Sequence, residues 1–193
     1  ALKEARTTIA QCINAEPEEI FFTSGGTESD NWAIKGIAFA DSEKRAIITS
    51  QIEHHAVLRA CEDIEKLGYP VAYLPVTKEG IVTTEALSSV ITHNTRLVSV
   101  MYANNEIGTI EPIKELCEIA HRNGALFHTD AVQAVGHIQI DVKELGVDIL
   151  SASAHKFNGP KGIGFLYIKK GTPIASYASG GAQEFGMRAG TEN

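Results

Sequence analysis

The chain has 193 residues, of which 44% are hydrophobic and 21% are charged, and its formal net charge is −7. This length and composition predict a globular domain with a full core, and the negative charge argues against a nucleic-acid-binding surface. No apolar run approaches the roughly 20 residues that a membrane-spanning helix needs, so no membrane association is expected.

The chain opens with a helical pattern and not with a signal peptide, because its start lacks a basic segment followed by an apolar block. The apolar residues that recur on one face of this helix are Leu2, Ala5, Ile9, Cys12 and Ile13. The first residue is not Met, and the last polar stretch has nothing after it to cover it. We therefore expect the sequence to be a piece of a longer protein.

Short apolar runs alternate with amphipathic stretches through the rest of the chain. The predicted strands are 20–23, 46–50, 71–76, 97–103, 125–129, 148–153 and 163–169. The predicted helices are 27–40, 54–67, 83–92, 112–123 and 141–145. This alternation predicts an α/β fold, one domain over 1–193 with a mostly parallel seven-stranded sheet and helices on both faces. About nine residues separate the last two strands, too few for a parallel crossover, so the last strand is expected to be antiparallel or at the sheet edge.

Ligands of such sheets bind at the carboxyl ends of the strands, so the residues that follow each strand matter most. After the first strand, Gly26 and Thr27 begin a helix whose free N–H groups could hold a phosphate, although a plain helix start has the same pattern. After the second strand, His54 and His55 open another helix. They fit either two solvated histidines or one imidazole that lies over a planar ligand.

Asparagines and an acid follow the fourth and fifth predicted strands. Asn104 and Asn105 come after the fourth, where they fit a turn as well as a binding site. Asp130 follows a strongly apolar strand, so it is expected to be partly buried, and a buried carboxylate needs a cationic partner. Gln133 lies three residues further on, close enough to face the same ligand.

The stretch "SASAHKFNGPKG" places Ser153, His155 and Lys156 after the sixth strand. Five strand ends thus carry a phosphate-binding helix start, an acid, an imidazole and a lysine, a set that suits one small anionic ligand. Pyridoxal phosphate needs this set, because it forms a Schiff base with a lysine amine and its ring nitrogen pairs with a carboxylate. As a neutral imine, Lys156 could be buried without the cost of an unpaired ammonium.

Six stretches, in order and over nearly the whole chain, resemble the large domain of the NifS/IscS-type cysteine desulfurases, which are fold-type-I pyridoxal-phosphate enzymes of the class V aminotransferase family. The stretches are "FFTSGGTESDNWAIKG", "EHHAVL", "YANNEIGTIEPI", "FHTDAVQAVG", "SASAHKFNGPKGIGFLYI" and "GGAQEFGMRAGTEN". The resemblance implies pyridoxal 5'-phosphate as cofactor and a large domain of the fold-type-I kind. The last stretch has Phe185 where an arginine is often found in its "QERG" form, so its detailed contacts are expected to differ.

The resemblance also implies how the cofactor phosphate is held. Gly26, Thr27, Ser153 and His155 would bind it from within the chain. Thr191 would reach the phosphate of the neighbouring subunit, so a homodimer is expected.

The resemblance assigns the remaining residues to the cofactor ring. Lys156 would be the Schiff-base lysine, and His54 would stack on the ring and act as an acid or base. Asp130 would pair with the ring nitrogen and Gln133 with the ring hydroxyl. Asn105 would lie near that hydroxyl and the substrate.

The reaction implied by the resemblance removes sulfur from L-cysteine and gives alanine and a protein persulfide, which passes sulfur to iron–sulfur or other acceptor or scaffold proteins. The cysteine that carries the persulfide is expected downstream of this chain. Cys12, Cys61 and Cys117 lack paired spacing and are expected to be buried on helix faces of an intracellular, cytoplasmic protein. We therefore expect this piece to bind cofactor but not to complete the reaction.

Three other functions fit parts of the sequence. Another pyridoxal-phosphate reaction, such as transamination or selenocysteine lysis, would use the same residues. A metallohydrolase could recruit His121, His128, Asp130 and His155, but H-x-x-x-H and H-E-x-x-H spacings are absent and no metal site is predicted. The third possibility is a non-catalytic scaffold domain that serves as a partner platform.

Overall fold

A seven-stranded sheet runs through the protein, and the computed structural model describes residues 1–191. The strands are β1 (Ile20–Thr23), β2 (Ala46–Ser50), β3 (Val71–Leu74), β4 (Thr95–Ser99), β5 (Leu126–Asp130), β6 (Ile149–Ser153) and β7 (Gly164–Ile168). The helices are α1 (Leu2–Cys12), α2 (Gly26–Phe39), α3 (His55–Lys66), α4 (Thr84–Val90), α5 (Ile113–Arg122) and α6 (Val142–Leu145). These elements agree with the predicted ones to within a few residues at their ends.

The sheet has the strand order β1-β7-β6-β5-β4-β2-β3. Strands β2 to β6 pair in parallel, whereas β7 pairs antiparallel with both β6 and β1. The prediction of a mostly parallel sheet with an antiparallel last strand is therefore confirmed. Strand β7 lies inside the sheet, because β1 pairs along its outer side, and the two edges are β1 and β3.

Helices cover both faces of the sheet because neighbouring strand residues point to opposite sides. Ile47 of β2 packs in a core with Trp32 of α2 and Ile64 of α3. Ile48, the next residue, belongs to a second core with Leu116 of α5, which also includes residues of α1, α4 and α6. Within residues 1–191, no helix is both long and apolar enough to cross a membrane.

The predicted apolar face of α1 is wrong in part. Ile13, just after the helix, is buried as expected, but Cys12 is exposed and the buried residues of the helix are Arg6 and Ala10. The reason is an ion pair between Arg6 and Glu184, which are far apart in the sequence. Glu184 belongs to the segment 178–191, which we call the terminal loop. The salt bridge and a bond from Arg6 to the Ile20 carbonyl turn the charged face of α1 inward.

Candidate functional site

A cavity of about 210 Å³ opens at the carboxyl ends of the strands. The lining residues are Gly26, Thr27, Asp30, His54, Met101, Asn105, Asp130, Val132, Gln133, Ser153, His155 and Lys156. All of the predicted site residues except Thr191 belong to this set. The sheet topology explains their convergence, because β2, β4, β5 and β6 all end on the same side of the molecule.

The start of α2 forms one wall of the cavity. Gly25 precedes the helix with φ of 149°, a conformation that residues with a side chain rarely adopt. A Cβ atom at Gly26 would lie 2.6 Å from Cγ2 of Val132, so a side chain there would collide with the cavity wall. The first N–H groups of a helix have no partner within the helix, and they attract anions.

Hydroxyl and imidazole groups complete this wall from the end of β6. Ser153 is the last residue of the strand, and its Oγ lies 2.9 Å from Nδ1 of His155 in the following turn. Oγ of Ser153 would also lie 3.6 Å from a Cβ atom at Gly25. Helix N–H groups and a hydroxyl therefore approach the same part of the cavity, which is the donor set that a phosphate needs.

Asp130 ends β5 and is more buried than predicted, with 4% of its surface exposed. The backbone N–H of Val132 donates to its Oδ1 at 2.9 Å. Burial raises the pKa of this carboxyl, while the Val132 N–H and the nearby His54 favour its charged form. The carboxylate can therefore hold a positive charge inside the cavity.

His54 caps the start of α3. The backbone N–H of Ala56 donates to Nδ1 of His54 at 3.1 Å, which leaves Nε2 for other partners. The two asparagines that follow β4 have separate roles. Asn104 is buried, and its Oδ1 accepts bonds from the N–H groups of Glu106 and Ile107 and so fixes the turn, whereas Asn105 lines the cavity.

Lys156 lies in a short helical turn after β6, half-buried at the cavity wall. His137 donates through Nε2 to the backbone carbonyl of Lys156 at 2.9 Å and so fixes the turn. Within residues 1–191, no carboxylate oxygen lies within 4.0 Å of Nζ of Lys156. The amine is therefore available to a ligand.

Sequence reasoning missed three residues of the cavity: Asp30, Met101 and Val132. Asp30 is the informative omission, because it lies in α2 one turn after Gly26 and is only 1% exposed. An acid on the helix face that carries Ala33, Ile34 and Ile37 is an exception to the apolar pattern, and that exception is the signal that could have identified it.

A buried polar row supports the floor of the cavity. His128 of β5 bonds to Oγ of Ser99 at 2.8 Å and to Oγ of Ser151 at 2.9 Å, so both ring nitrogens have partners in the neighbouring strands. Burial lowers the pKa of His128 to about 3, so the ring is neutral. Glu53, also buried, accepts bonds from Ser50 Oγ at 2.6 Å and from the Met101 N–H at 2.9 Å, and burial raises its pKa to about 8.

The structure keeps two of the four residues of the metallohydrolase alternative, His121 and His128, out of the cavity lining. His121 bonds to Asp148 at 2.8 Å away from the cavity, and His128 is held by its two serines. Among residues 1–191, three side chains with possible metal-ligand atoms do come together: Asp30, His54 and Asp130. One such atom from each lies within 4.8 Å of the other two.

None of the three cysteines lines this cavity. Cys61 and Cys117 are buried as predicted, and burial raises the pKa of each thiol to about 12. Thiols of this kind are poor nucleophiles because almost none is ionised. Cys12, which was expected to be buried, is exposed and lies in a different cavity beside residues 135–140.

Thr191 lies outside the cavity and is exposed in the terminal loop. The loop is fastened to the cavity wall by Arg188, whose Nε donates to Oε1 of Glu28 in α2 at 2.7 Å. Phe185 is 59% exposed, and its ring lies edge-on to Phe21. The final two residues of the "GGAQEFGMRAGTEN" stretch, 192 and 193, lie outside the described residues.

The family model for class-V aminotransferases matches residues 1–191. The chain belongs to this family. A cysteine desulfurase IscS from Clostridium botulinum is 58% identical over 194 residues, which cover all of this chain and 49% of that relative. The chain spans about half the length of the curated relatives it matches.

Solved structures agree with this class-V assignment. A NifS-like protein superposes with a TM-score of 0.96 at 45% identity over all of this chain and 53% of its own. A structure described as SspA in complex with cysteine gives a TM-score of 0.95 at 40% identity, over 99% of this chain and 56% of its own.

Class-V aminotransferases and cysteine desulfurases are pyridoxal-phosphate-dependent enzymes. The residues of this cavity fit that cofactor. The wall at Gly26 leaves no room for a side chain, a buried carboxylate faces the cavity from β5, and an amine that forms no ion pair within residues 1–191 faces it from the turn after β6. These are the groups that a phosphate, a ring nitrogen and an aldehyde need.

Proposed function

We propose that the chain is the cofactor-binding large domain, residues 1–193, of a pyridoxal-phosphate-dependent cysteine desulfurase. The observation that carries the proposal is the convergence of Lys156, Asp130 and the start of α2 on one cavity. The high identity to proteins named cysteine desulfurase IscS supports this function over transamination and selenocysteine lysis. It also weighs against a scaffold without catalytic activity.

In this proposal the phosphate lies against the start of α2, where Gly26, Thr27, Ser153 and His155 bind it. Asp130 holds the ring nitrogen in its protonated form, because a nearby carboxylate raises the pKa of a cation. These groups are carried by strand ends and by a helix, so they are rigid before the cofactor arrives. Such preorganisation lowers the entropic cost of binding.

The other residues act on the ring and on the substrate. His54 would lie over the ring and would move protons through Nε2, because its Nδ1 already accepts a bond from the Ala56 N–H. Gln133 would pair with the ring hydroxyl, and Asn105 would lie near that hydroxyl and the substrate. Lys156 would hold the cofactor through Nζ and, as a free amine, would take the proton from the α-carbon of the substrate. When bound, pyridoxal phosphate supplies an electron sink for the charge left on that carbon.

The proposed substrate is L-cysteine and the products are alanine and a persulfide on a cysteine of the whole protein. The bound cysteine in the structure described as SspA supports this substrate class. None of Cys12, Cys61 and Cys117 is proposed as the persulfide-bearing residue, because two are buried as neutral thiols and the third lies at another cavity. A cytoplasmic homodimer that passes sulfur to acceptor or scaffold proteins completes the proposal.

The decisive experiment locates the attachment of the cofactor. The chain is incubated with pyridoxal phosphate, reduced with borohydride and digested, and the modified peptide is identified by mass spectrometry. We expect the label on the peptide that contains Lys156, and we expect it to be lost in Lys156→Ala. The matched control is Lys161→Ala, an exposed lysine in the same loop, which should keep the label. A label spread over surface lysines, or unchanged in Lys156→Ala, would contradict the proposal.

A further inference from the structure

The cavity contains two buried carboxyl groups, and only Asp130 has a role in the proposed function. Asp30 of α2 is 1% exposed and lies against the same floor. One carboxylate oxygen of Asp30, one carboxylate oxygen of Asp130 and one ring nitrogen of His54 all lie within 4.8 Å of one another. Two carboxylates this close in a buried site do not both ionise, so one proton has to stay with the pair.

The contacts decide which carboxyl keeps that proton. Asp130 accepts a bond from the Val132 N–H at 2.9 Å and lies near His54, and both contacts favour its anion. Oδ1 of Asp30 has no hydrogen-bond partner within residues 1–191. The nearby Ser151 hydroxyl favours an anion at Asp30, but it offsets only part of the cost of burying that charge beside Asp130.

The other titratable groups around Asp30 do not move the proton to Asp130. His128 lies 3.8 Å from Asp30 Oδ1, but both of its ring nitrogens are bonded to serines, and burial lowers its pKa to about 3. From the segment before α3, His54 faces the pair and Glu53 adds a further acid. Lys156 lines the same cavity from the turn after β6. Burial and the neighbouring Asp130 raise the pKa of Asp30 well above its usual value.

We propose that Asp30 is a neutral carboxylic acid at the floor of the cavity and that it confines the negative charge of the acid pair to Asp130. It is a positioning residue that acts through Asp130. The proposal deepens the proposed function, because a single anion at Asp130 is what a protonated ring nitrogen requires. A second anion at Asp30 would place two negative charges within 4.8 Å of each other beside that nitrogen.

The test is infrared difference spectroscopy of the cofactor-free chain, labelled with carbon-13 in the aspartate carboxyl groups. At neutral pH we expect one protonated aspartic acid band, which disappears in Asp30→Asn and persists in Asp130→Asn. Asp63→Asn, which removes an exposed aspartate with a lowered pKa, should leave that band unchanged. The aspartate label separates this signal from that of Glu53.

Two results would overturn the proposal. The first is the absence of a protonated aspartic acid band in the parent chain at neutral pH. The second is a band that survives Asp30→Asn and is lost in Asp130→Asn, which would place the proton on Asp130. If Asp30→Asn does not fold, Asp30→Glu decides: the labelled aspartic acid band should be lost, because the remaining acid is an unlabelled glutamate, and survival of the labelled band contradicts the proposal. Because no cofactor is present, failure here is distinguishable from failure of cofactor attachment at Lys156.

Discussion

The cavity and the terminal loop are built in different ways. The cavity residues are carried by strand ends, helix starts and the short turns next to them, so neighbouring backbone bonds fix each one. The terminal loop has little regular structure and is fastened by side chains from distant parts of the chain. Arg6 of α1 pairs with Glu184 through two bonds of 2.8 and 2.9 Å, although 178 positions separate them. Glu184 also accepts a bond from the Phe22 N–H at 2.8 Å.

Substitutions in the two regions should therefore have different consequences. A substitution in the cavity should change ligand binding while the fold persists, because the sheet beneath it has its own core. A substitution in the buried ion pair should change stability while the cavity persists, because the terminal loop does not line it. Each of the following variants tests one side of this contrast.

The largest effect is expected for Glu184→Ala. The Arg6 side chain is 10% exposed, so the variant leaves a buried guanidinium without its carboxylate, and such losses cost about 3–5 kcal/mol. We expect the unfolding midpoint in urea to fall sharply, while labelling of Lys156 in the folded chain remains. Glu62→Ala breaks the exposed pair with Arg59 and is the control that should leave the midpoint nearly unchanged.

The double variant Arg6→Met with Glu184→Met sharpens this test. It removes both charges, so it should recover part of the lost stability, since apolar residues of similar size often replace a buried pair well. If Glu184→Ala costs no more than Glu62→Ala, the ion pair does not hold the terminal loop and the contrast between the regions fails.

The cavity was largely predictable from the sequence because its determinants are local. Each of Gly26, His54, Asp130 and Lys156 stands within a few residues of an apolar run that could only be a strand, and parallel strands bring their carboxyl ends together. The antiparallel β7 was predictable for the same reason, since its connection is too short for a crossover.

The features that could not be predicted depend on long-range contacts. The helical period of α1 indicated an apolar face, but the Arg6–Glu184 pair rotates the buried face and leaves Cys12 in solvent. The burial of Asp30 depends on the sheet beneath α2; the sequence shows only that an acid interrupts the apolar face of this helix, next to a polar helix start. Periodicity reports which residues can share a face and not which partner will cover that face.

Gly26→Ala is expected to have the second-largest effect, and on the cavity side of the contrast. The new Cβ would lie 2.6 Å from Cγ2 of Val132, so Val132 must shift, and overpacking of this kind costs about 1–3 kcal/mol. We expect pyridoxal phosphate affinity, measured by equilibrium dialysis, to fall by about ten- to a hundredfold, with the urea midpoint much less affected than by Glu184→Ala. The double variant Gly26→Ala with Val132→Ala removes the clash and should recover affinity. An undiminished affinity in Gly26→Ala would show that the wall tolerates a side chain.

The smallest effect is expected for Thr191→Ala. This variant tests whether the terminal loop of one subunit contributes to the cavity of its neighbour. A lost hydrogen bond to a charged phosphate should cost about 1.5 kcal/mol, or roughly a tenfold weaker affinity for pyridoxal phosphate. Mixed dimers decide whether the hydroxyl acts between subunits. In a dimer of one Lys156→Ala subunit and one Thr191→Ala subunit, a contribution across the interface leaves one site with both residues intact and one site with neither. Half of the sites should then take the borohydride label at the parent affinity. If Thr191 served its own subunit, every labelled site would show the weakened affinity, and the terminal loop would have no part in the neighbouring cavity.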